Sequence, residues 1–286
     1  MNVATTTMTL FKIALTVVGV IIASALFYPV AYIVAQALIG RPTIILTSFK
    51  ELVEYGLTLD NFRKTLEDPL FYEALRNTLI IAAMTIVLAI AVIIPAAYAF
   101  SRFDFLGKDT LLYYYLIVSQ AGGGLGVIAV LALYIFLLRM TAYGVNMINM
   151  WVLPFIYTSE LVPFQTWLMK SYFDQLPKEL DEASFIDGAG WFHIIFRVIF
   201  PASKAAFIII ILFAYMSAWG EFIIATILQI PTLGWYVYTQ GVAGQAGLMK
   251  PGVYAAAAII YAIPMIVLFA LAQRYIGQAY RLGIKG

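Results

Sequence analysis

Charged residues are absent from four long stretches of the chain, 13–40, 77–101, 110–138 and 251–273. Two further stretches each hold a single charge, Glu160 within 140–169 and Glu221 within 205–249. A helix crosses the hydrocarbon core of a bilayer with about 20 mostly apolar residues, because each backbone polar group must be satisfied inside the segment. The pattern therefore predicts six membrane helices, at about 13–39, 76–101, 110–138, 146–169, 203–229 and 251–275. The runs are continuous, unlike the roughly ten-residue alternation of a barrel strand. The expected fold class is an all-α integral membrane protein, a single transmembrane domain over 1–286 with no internal repeat or linker.

Composition agrees with this reading. Hydrophobic residues make up 63% and charged residues 11% of the chain, whereas soluble domains carry roughly 25% charge. The first run is longer than the 7–15 residues of a signal h-region and reads as a retained span. With no Cys, disulfides and thiolate metal sites are excluded. A net charge of +2 gives no reason to expect a nucleic-acid partner. No phosphate-binding loop is present, since Gly107-Lys108 is followed by Asp109 and lacks the earlier glycine. No catalytic constellation appears either, and the single His193 has no Cys or second His beside it.

With the N-terminus in the cytoplasm, ten of the 17 Lys and Arg residues fall on the inside. Five of the seven outside lie in one loop, 41–76, so the positive-inside rule favours a cytoplasmic N- and C-terminus in a multi-pass cell-membrane protein. In that outer loop Asp60 is expected to cap a short surface helix bearing Phe62 and Leu66, lying at the membrane interface.

The segment that breaks the apolar pattern is 174–201, which contains ELDEASFIDGAGWFHIIFRVIFP. Pro177 suits the first turn of a helix, Glu179, Asp181 and Glu182 suit its positive N-terminal end, and Gly188 suits its close. On a helical wheel Leu180, Ala183, Ser184 and Asp187 fall on one side, and Glu182 falls with Phe185, Ile186 and Ala189 on the other. A carboxylate among apolar side chains suits docking against a partner that supplies a cation. A second, interfacial helix follows with the stripe Trp191, Ile194, Ile195 and Val198 opposite His193 and Arg197, ended by Pro201.

The spacing in this segment resembles the EAA loop of ABC importer permeases. Glu182, Ala183 and Ser184 are followed by three residues, Gly188, nine residues and then Val198-Ile199-Phe200-Pro201. Ser184 stands where the pattern has a second Ala, Val198 where it has Ile, and Phe200 where it has Leu. LTLDNFRKTLEDPLFYEALRNTLIIA, AAYAFSRFDFLGK, AWGEF and the ending LAQRYIGQAYRLGIKG are similar to the carbohydrate-uptake group of such permeases, the ending to the smaller membrane subunit of maltose-type systems. The resemblance implies two short coupling helices that sit in a cleft of a separate ATPase. It assigns the coupling role to Glu182, Ala183, Ser184, Asp187, Gly188 and Pro201. It also implies a second related permease chain, two ATPase subunits and an extracytoplasmic sugar-binding protein as partners, lipid around the spans, no cofactor in this chain, and ATP and Mg on the ATPase. The implied function is import of a sugar or oligosaccharide. An ABC permease for another solute and an ion-coupled secondary transporter are the alternatives; the latter calls for inverted repeats, which the sequence does not show.

Within the spans, Glu221 and Glu160 have both a pathway and a structural reading, because an ionisable side chain in a span faces protein or a water-filled cavity. Gly122 and Gly126 have the spacing that lets helices approach closely or a span bend. Tyr113, Tyr114 and Tyr115 suit an interfacial aromatic belt. Sugars are held by aromatic rings and amides, which makes Asn77, Gln120, Asn149, Trp151 and Trp219, with Glu221, candidates for the pathway.

Overall fold

The structure is a computed structural model that describes residues 3–41, 48, 50–125, 127–242 and 250–283. Its helices in chain order are α1 (Val3–Leu38), α2 (Lys50–Tyr55), α3 (Asp60–Glu67), α4 (Pro69–Arg102), α5 (Lys108–Leu125), α6 (Val127–Ala142), α7 (Leu153–Phe173) and α8 (Glu179–Ile186). There follow α9 (Trp191–His193), a π-helical segment (Ile194–Ile199), α10 (Phe200–Ala202), α11 (Lys204–Gly220), α12 (Ile223–Ile227), α13 (Leu233–Val242) and α14 (Pro251–Gly283). The only β-pairing among the described residues is an isolated bridge between Ile39 and Leu57. The protein is an all-α membrane protein, as its apolar runs predict. Among the described residues four helical stretches are long and apolar enough to cross a bilayer: Phe11–Leu38, Pro69–Arg102, Lys204–Ile227 and Pro251–Gln273. The run at 110–138 is carried by α5 and α6, with Gly126 between them outside the described residues. The run at 146–169 is carried by α7, which begins only at Leu153, with Pro154 in its first turn.

The described chain forms two compact units, one of residues 1–69 and 237–262, the other of 70–236 and 263–286. In the first unit α3 closes the end of α1. Asn61 donates from Nδ2 to the carbonyls of Ala37 (3.0 Å) and Ile39 (3.2 Å), two acceptors that the helix itself leaves unpaired. Phe62 packs with Ala37, Ala255 and Ala256. The outer-loop helix is therefore anchored by Phe62, while Leu66 stays exposed. Asp60 is its first residue and not its cap; the Thr58 hydroxyl accepts the Asp60 N–H instead. Gly40 is needed for close approach, since a Cβ there would lie 2.6 Å from the Tyr55 carbonyl oxygen. Most of α1 shows apolar side chains outward, among them Leu26 and Phe27.

The second unit has two apolar clusters. The first joins Ile93, Ile94, Ala97 and Tyr98 of α4 to Met169 and Phe173 of α7, Ile194, Ile195 and Ile199, and Phe207 and Ile210 of α11. The second joins Ile81 and Ala82 of α4 to Leu137 of α6, Leu153 and Tyr157 of α7, Ala218 of α11, and Ala225, Leu228 and Ile230 beyond it. Both clusters are threaded by α4 and α7. Small residues along α4, Ala82, Ala89 and Ala97, lie at 3% exposure or less and let neighbouring helices approach closely.

The predicted span at 203–229 is interrupted. At Glu221 the backbone turns extended (φ −78°, ψ 128°), and α12 starts afresh two residues later. The Glu221 carboxylate makes this break by accepting the N–H groups of Ile224 (2.6 Å) and Ala225 (3.4 Å), which begin α12.

Candidate functional site

The 174–201 segment folds as a short helix, a tight turn and a second helical stretch. In the turn Gly188 adopts φ +78°, the left-handed region open to glycine. The Gly188 N–H bonds the Phe185 carbonyl and the Ala189 N–H bonds the Ser184 carbonyl, each at 3.0 Å. This is the Schellman closure of α8, and it explains why a glycine follows Asp187, whose side chain is exposed at the helix end. A Cβ on Gly188 would meet nothing within 4 Å, so the requirement is one of backbone conformation and not of space.

The second stretch is where the expected α-helical stripe is revised. Hydrogen bonding from i to i+5 brings residues five apart onto one face. Ile194 and Ile199 are both fully buried and Ile195 nearly so, while Val198 is only half-buried. Pro201, which has no N–H to donate, sits in the single turn that follows, and Ser203 breaks the helix before α11.

Two faces of this loop differ in chemistry. Glu182, Ala183, Ile186, Asp187, Phe192 and His193 are exposed, with Ile186 at 86% and Phe192 at 79%. No cation or hydrogen-bond donor meets the Glu182 carboxylate among the described residues. The opposite face carries Asp181, Ser184 and the buried isoleucines. Ser184 faces inward and donates to the Leu180 carbonyl (2.6 Å), so of the residues assigned to coupling it is the one withdrawn from the surface.

Asp181, read from the sequence only as a helix-dipole partner, is the polar centre of the buried face. Its Oδ1 accepts the Tyr98 hydroxyl at 2.7 Å, and its Oδ2 lies 2.7 Å from Arg102 Nε. Both charged side chains are under 10% exposed. The Arg102 contact is a close ion pair without the alignment of a hydrogen bond, while the same guanidinium donates to the Leu176 carbonyl at 3.2 Å. One turn away, the Ser101 hydroxyl donates to Asp174 Oδ1 (2.7 Å), and Lys170 pairs with Asp174 Oδ2 (2.8 Å). Trp191 packs edge-on against Phe185 (4.6 Å), Phe103 (5.0 Å) and Tyr98 (5.9 Å between centroids). The last turn of α4 thus holds both ends of the 174–181 segment. A pairing across 79 positions leaves no local signal in the sequence; the available hint was that Arg102 is the charge that ends an uncharged run.

Each candidate pathway residue has its own place in the fold. Asn77 is buried and donates to the Pro231 carbonyl (2.9 Å), and its neighbour Thr78 accepts the Leu233 N–H (2.8 Å). Trp219 is buried against Tyr215, with ring centroids 5.2 Å apart. Asn149 shapes a local turn through the Asn146 carbonyl and the Trp151 N–H. Glu221 accepts the Tyr157 hydroxyl at 2.7 Å in addition to capping α12, which gives it a packing role. Gln120, Trp151 and Glu160 are exposed. Tyr113, Tyr114 and Tyr115 are exposed as an aromatic belt requires. Gly126 lies outside the described residues, and at Gly122 the backbone is helical. Buried polar groups that the sequence reading passed over are Thr158, Gln165 and Thr166 of α7, which follow one helix face between the two apolar clusters.

The family model described as "Binding-protein-dependent transport system inner membrane component" matches residues 108–282. The maltodextrin transport system permease protein MdxG of Bacillus subtilis (strain 168) is 32% identical over 232 residues, 80% of this chain and 81% of that protein. The trehalose/maltose transport system permease protein MalG of Thermococcus litoralis is 29% identical over 285 residues, 96% of this chain and 97% of that protein. Among solved structures, a bacterial ABC transporter involved in the import of the acidic polysaccharide alginate has the same fold, with a TM-score of 0.75 at 22% identity over 93% of this chain and 96% of that chain. The 174–201 loop, the multi-pass helical architecture and these matches agree: the chain belongs to the binding-protein-dependent transport system inner membrane components, the membrane-spanning permease subunits of ABC importers.

Proposed function

We propose that this chain forms half of the translocation pathway of an ATP-driven importer for a sugar or oligosaccharide. The other half is a second, related permease chain. Two ATPase subunits dock at 179–201 and carry the ATP and Mg, and an extracytoplasmic sugar-binding protein delivers the solute. The chain spans the cell membrane with both termini in the cytoplasm, which puts the loop on the ATPase side.

The observation that carries this reading is the two-faced loop. Ile186, Phe192 and Glu182 are exposed, and the Glu182 carboxylate meets no cation among the described residues, while the reverse face is fixed to α4. A surface of this kind matches a partner with an apolar cleft and a cation at its rim. The sugar assignment is supported by the names of the permeases to which the chain is similar, which transport maltodextrin and trehalose or maltose. Uptake of labelled maltodextrins, trehalose and amino acids by the native host, with and without this chain, tests it. Loss of glycan uptake alone is the expected result. Loss of amino-acid uptake with glycan uptake intact overturns the sugar assignment.

A further inference from the structure

We infer that Asp181, Arg102 and Tyr98 are a lock through which motion of the 179–201 loop is delivered to α4, and that α4 carries it to the 230–233 segment. This inference rests on the importer reading above. Covalently the loop is continuous with α7 on one side and α11 on the other, so those helices are the obvious recipients of its movement. The structure adds a third. Asp181 in the first turn of α8 is held by Tyr98 and by Arg102 in the last turn of α4, and Arg102 also binds the Leu176 carbonyl.

Just ahead of α8 the Ser101 hydroxyl holds Asp174, and the other contacts described between 179–201 and α4 are apolar, from Ile194, Ile195, Ile199 and the Trp191 ring on Tyr98. Apolar surfaces are non-directional and permit sliding. A buried carboxylate held by a hydroxyl and a guanidinium is directional and costly to part, so it fixes the register of the two elements. At its far end α4 grips a second segment by the same means, Asn77 on the Pro231 carbonyl and Thr78 on the Leu233 N–H. Between Asn77 and Arg102 α4 is one continuous helix, about 37 Å long at 1.5 Å per residue. A displacement of α8 is thereby coupled to the segment that follows the Glu221 break. Asp181 and Arg102 are positioning residues here, both buried within the chain.

A structural role and a transmitting role differ in what an apolar replacement restores. Breaking one side of a buried pair is destabilising, whereas replacing both sides with apolar residues of similar volume is often neutral. The test uses the complex purified from its native membrane, with a nitroxide on Gln229→Cys, an exposed position in the turn before Pro231; the chain has no other cysteine. Arg102→Gln, Asp181→Asn and the double variant Arg102→Met with Asp181→Leu, made together with Tyr98→Phe so that no hydroxyl is left without its acceptor, are compared for thermal unfolding, solute transported per ATP hydrolysed, and the ATP-induced change in nitroxide mobility.

The single variants are expected to unfold at lower temperature. The double variant is expected to recover the unfolding temperature yet transport roughly tenfold less per ATP, with the nitroxide silent to ATP. Recovery of transport and of the nitroxide response in the double variant overturns the lock. A nitroxide indifferent to ATP in the unsubstituted, transporting complex overturns transmission along α4. Absence of ATP-driven uptake in the unsubstituted complex overturns the importer reading itself.

Discussion

Gly188 ties the proposed coupling role of the loop to a local backbone conformation. Its φ of +78° closes α8, and open space surrounds the position where a Cβ would stand. A side chain there therefore tests conformation without a clash inside the chain. An L-residue in the left-handed region costs about 1–2 kcal/mol, and Asn tolerates it better than a β-branched residue. Gly188→Asn is expected to retain more transport per ATP than Gly188→Val, with both variants present in the membrane at normal amounts. Equal transport by the two would remove the conformational account. The glycine was legible in the sequence because a turn after an amphipathic segment has few other solutions. Asp181 was not, because nothing in ELDEAS distinguishes the acid that turns inward from Glu182, which turns outward. One of two adjacent carboxylates is solvated and the other buried, and only Arg102 and Tyr98, from a distant helix, decide which.

At the scale of elements, the uncharged runs 77–101 and 251–273 lie inside α4 (Pro69–Arg102) and α14 (Pro251–Gly283), since in lipid a backbone must satisfy its own polar groups. The interruption of the fifth run was not legible. Glu221 appeared as one charge in an apolar stretch, whereas the structure makes it the cap of α12 and an acceptor for Tyr157. Hydropathy averages over such a break, because both flanks are apolar. The capping role gives a prediction. Glu221→Ala leaves the Ile224 and Ala225 N–H groups and the Tyr157 hydroxyl without their acceptor and is expected to cost about 1–3 kcal/mol. Glu221→Gln keeps one acceptor oxygen and is expected to cost less. Thermal unfolding of the purified complex measures both. If instead Glu221→Gln left the unfolding temperature unchanged and weakened solute affinity, Glu221 would belong to the pathway. The π-helical stretch Ile194–Ile199 was likewise missed, since a stripe of Trp191, Ile194, Ile195 and Val198 fits an ordinary α-helix.

For the molecule as a whole, the apolar runs and composition reached the fold class, the resemblance of the Glu182 to Pro201 segment to the EAA loop reached the permease family, and the matches to the maltodextrin and trehalose/maltose permeases bear that out. The pathway was not reachable in the same way. Its candidates were chosen by side-chain type, and amides and indoles serve packing as readily as sugar binding; Asn77 and Trp219 are both buried in the folded chain. The central claim is that an ATPase sits on the exposed face of α8. Because the chain contains no cysteine, Ile186→Cys provides a single attachment point on that face, at a side chain 86% exposed. A photoactivatable thiol reagent placed there in native membranes, followed by mass spectrometry of the adduct, measures the contact directly. The account predicts an adduct with a subunit containing a Gly-x4-Gly-Lys-Ser/Thr phosphate loop, and abundant adduct with any other protein, from membranes that still import the solute, would contradict it.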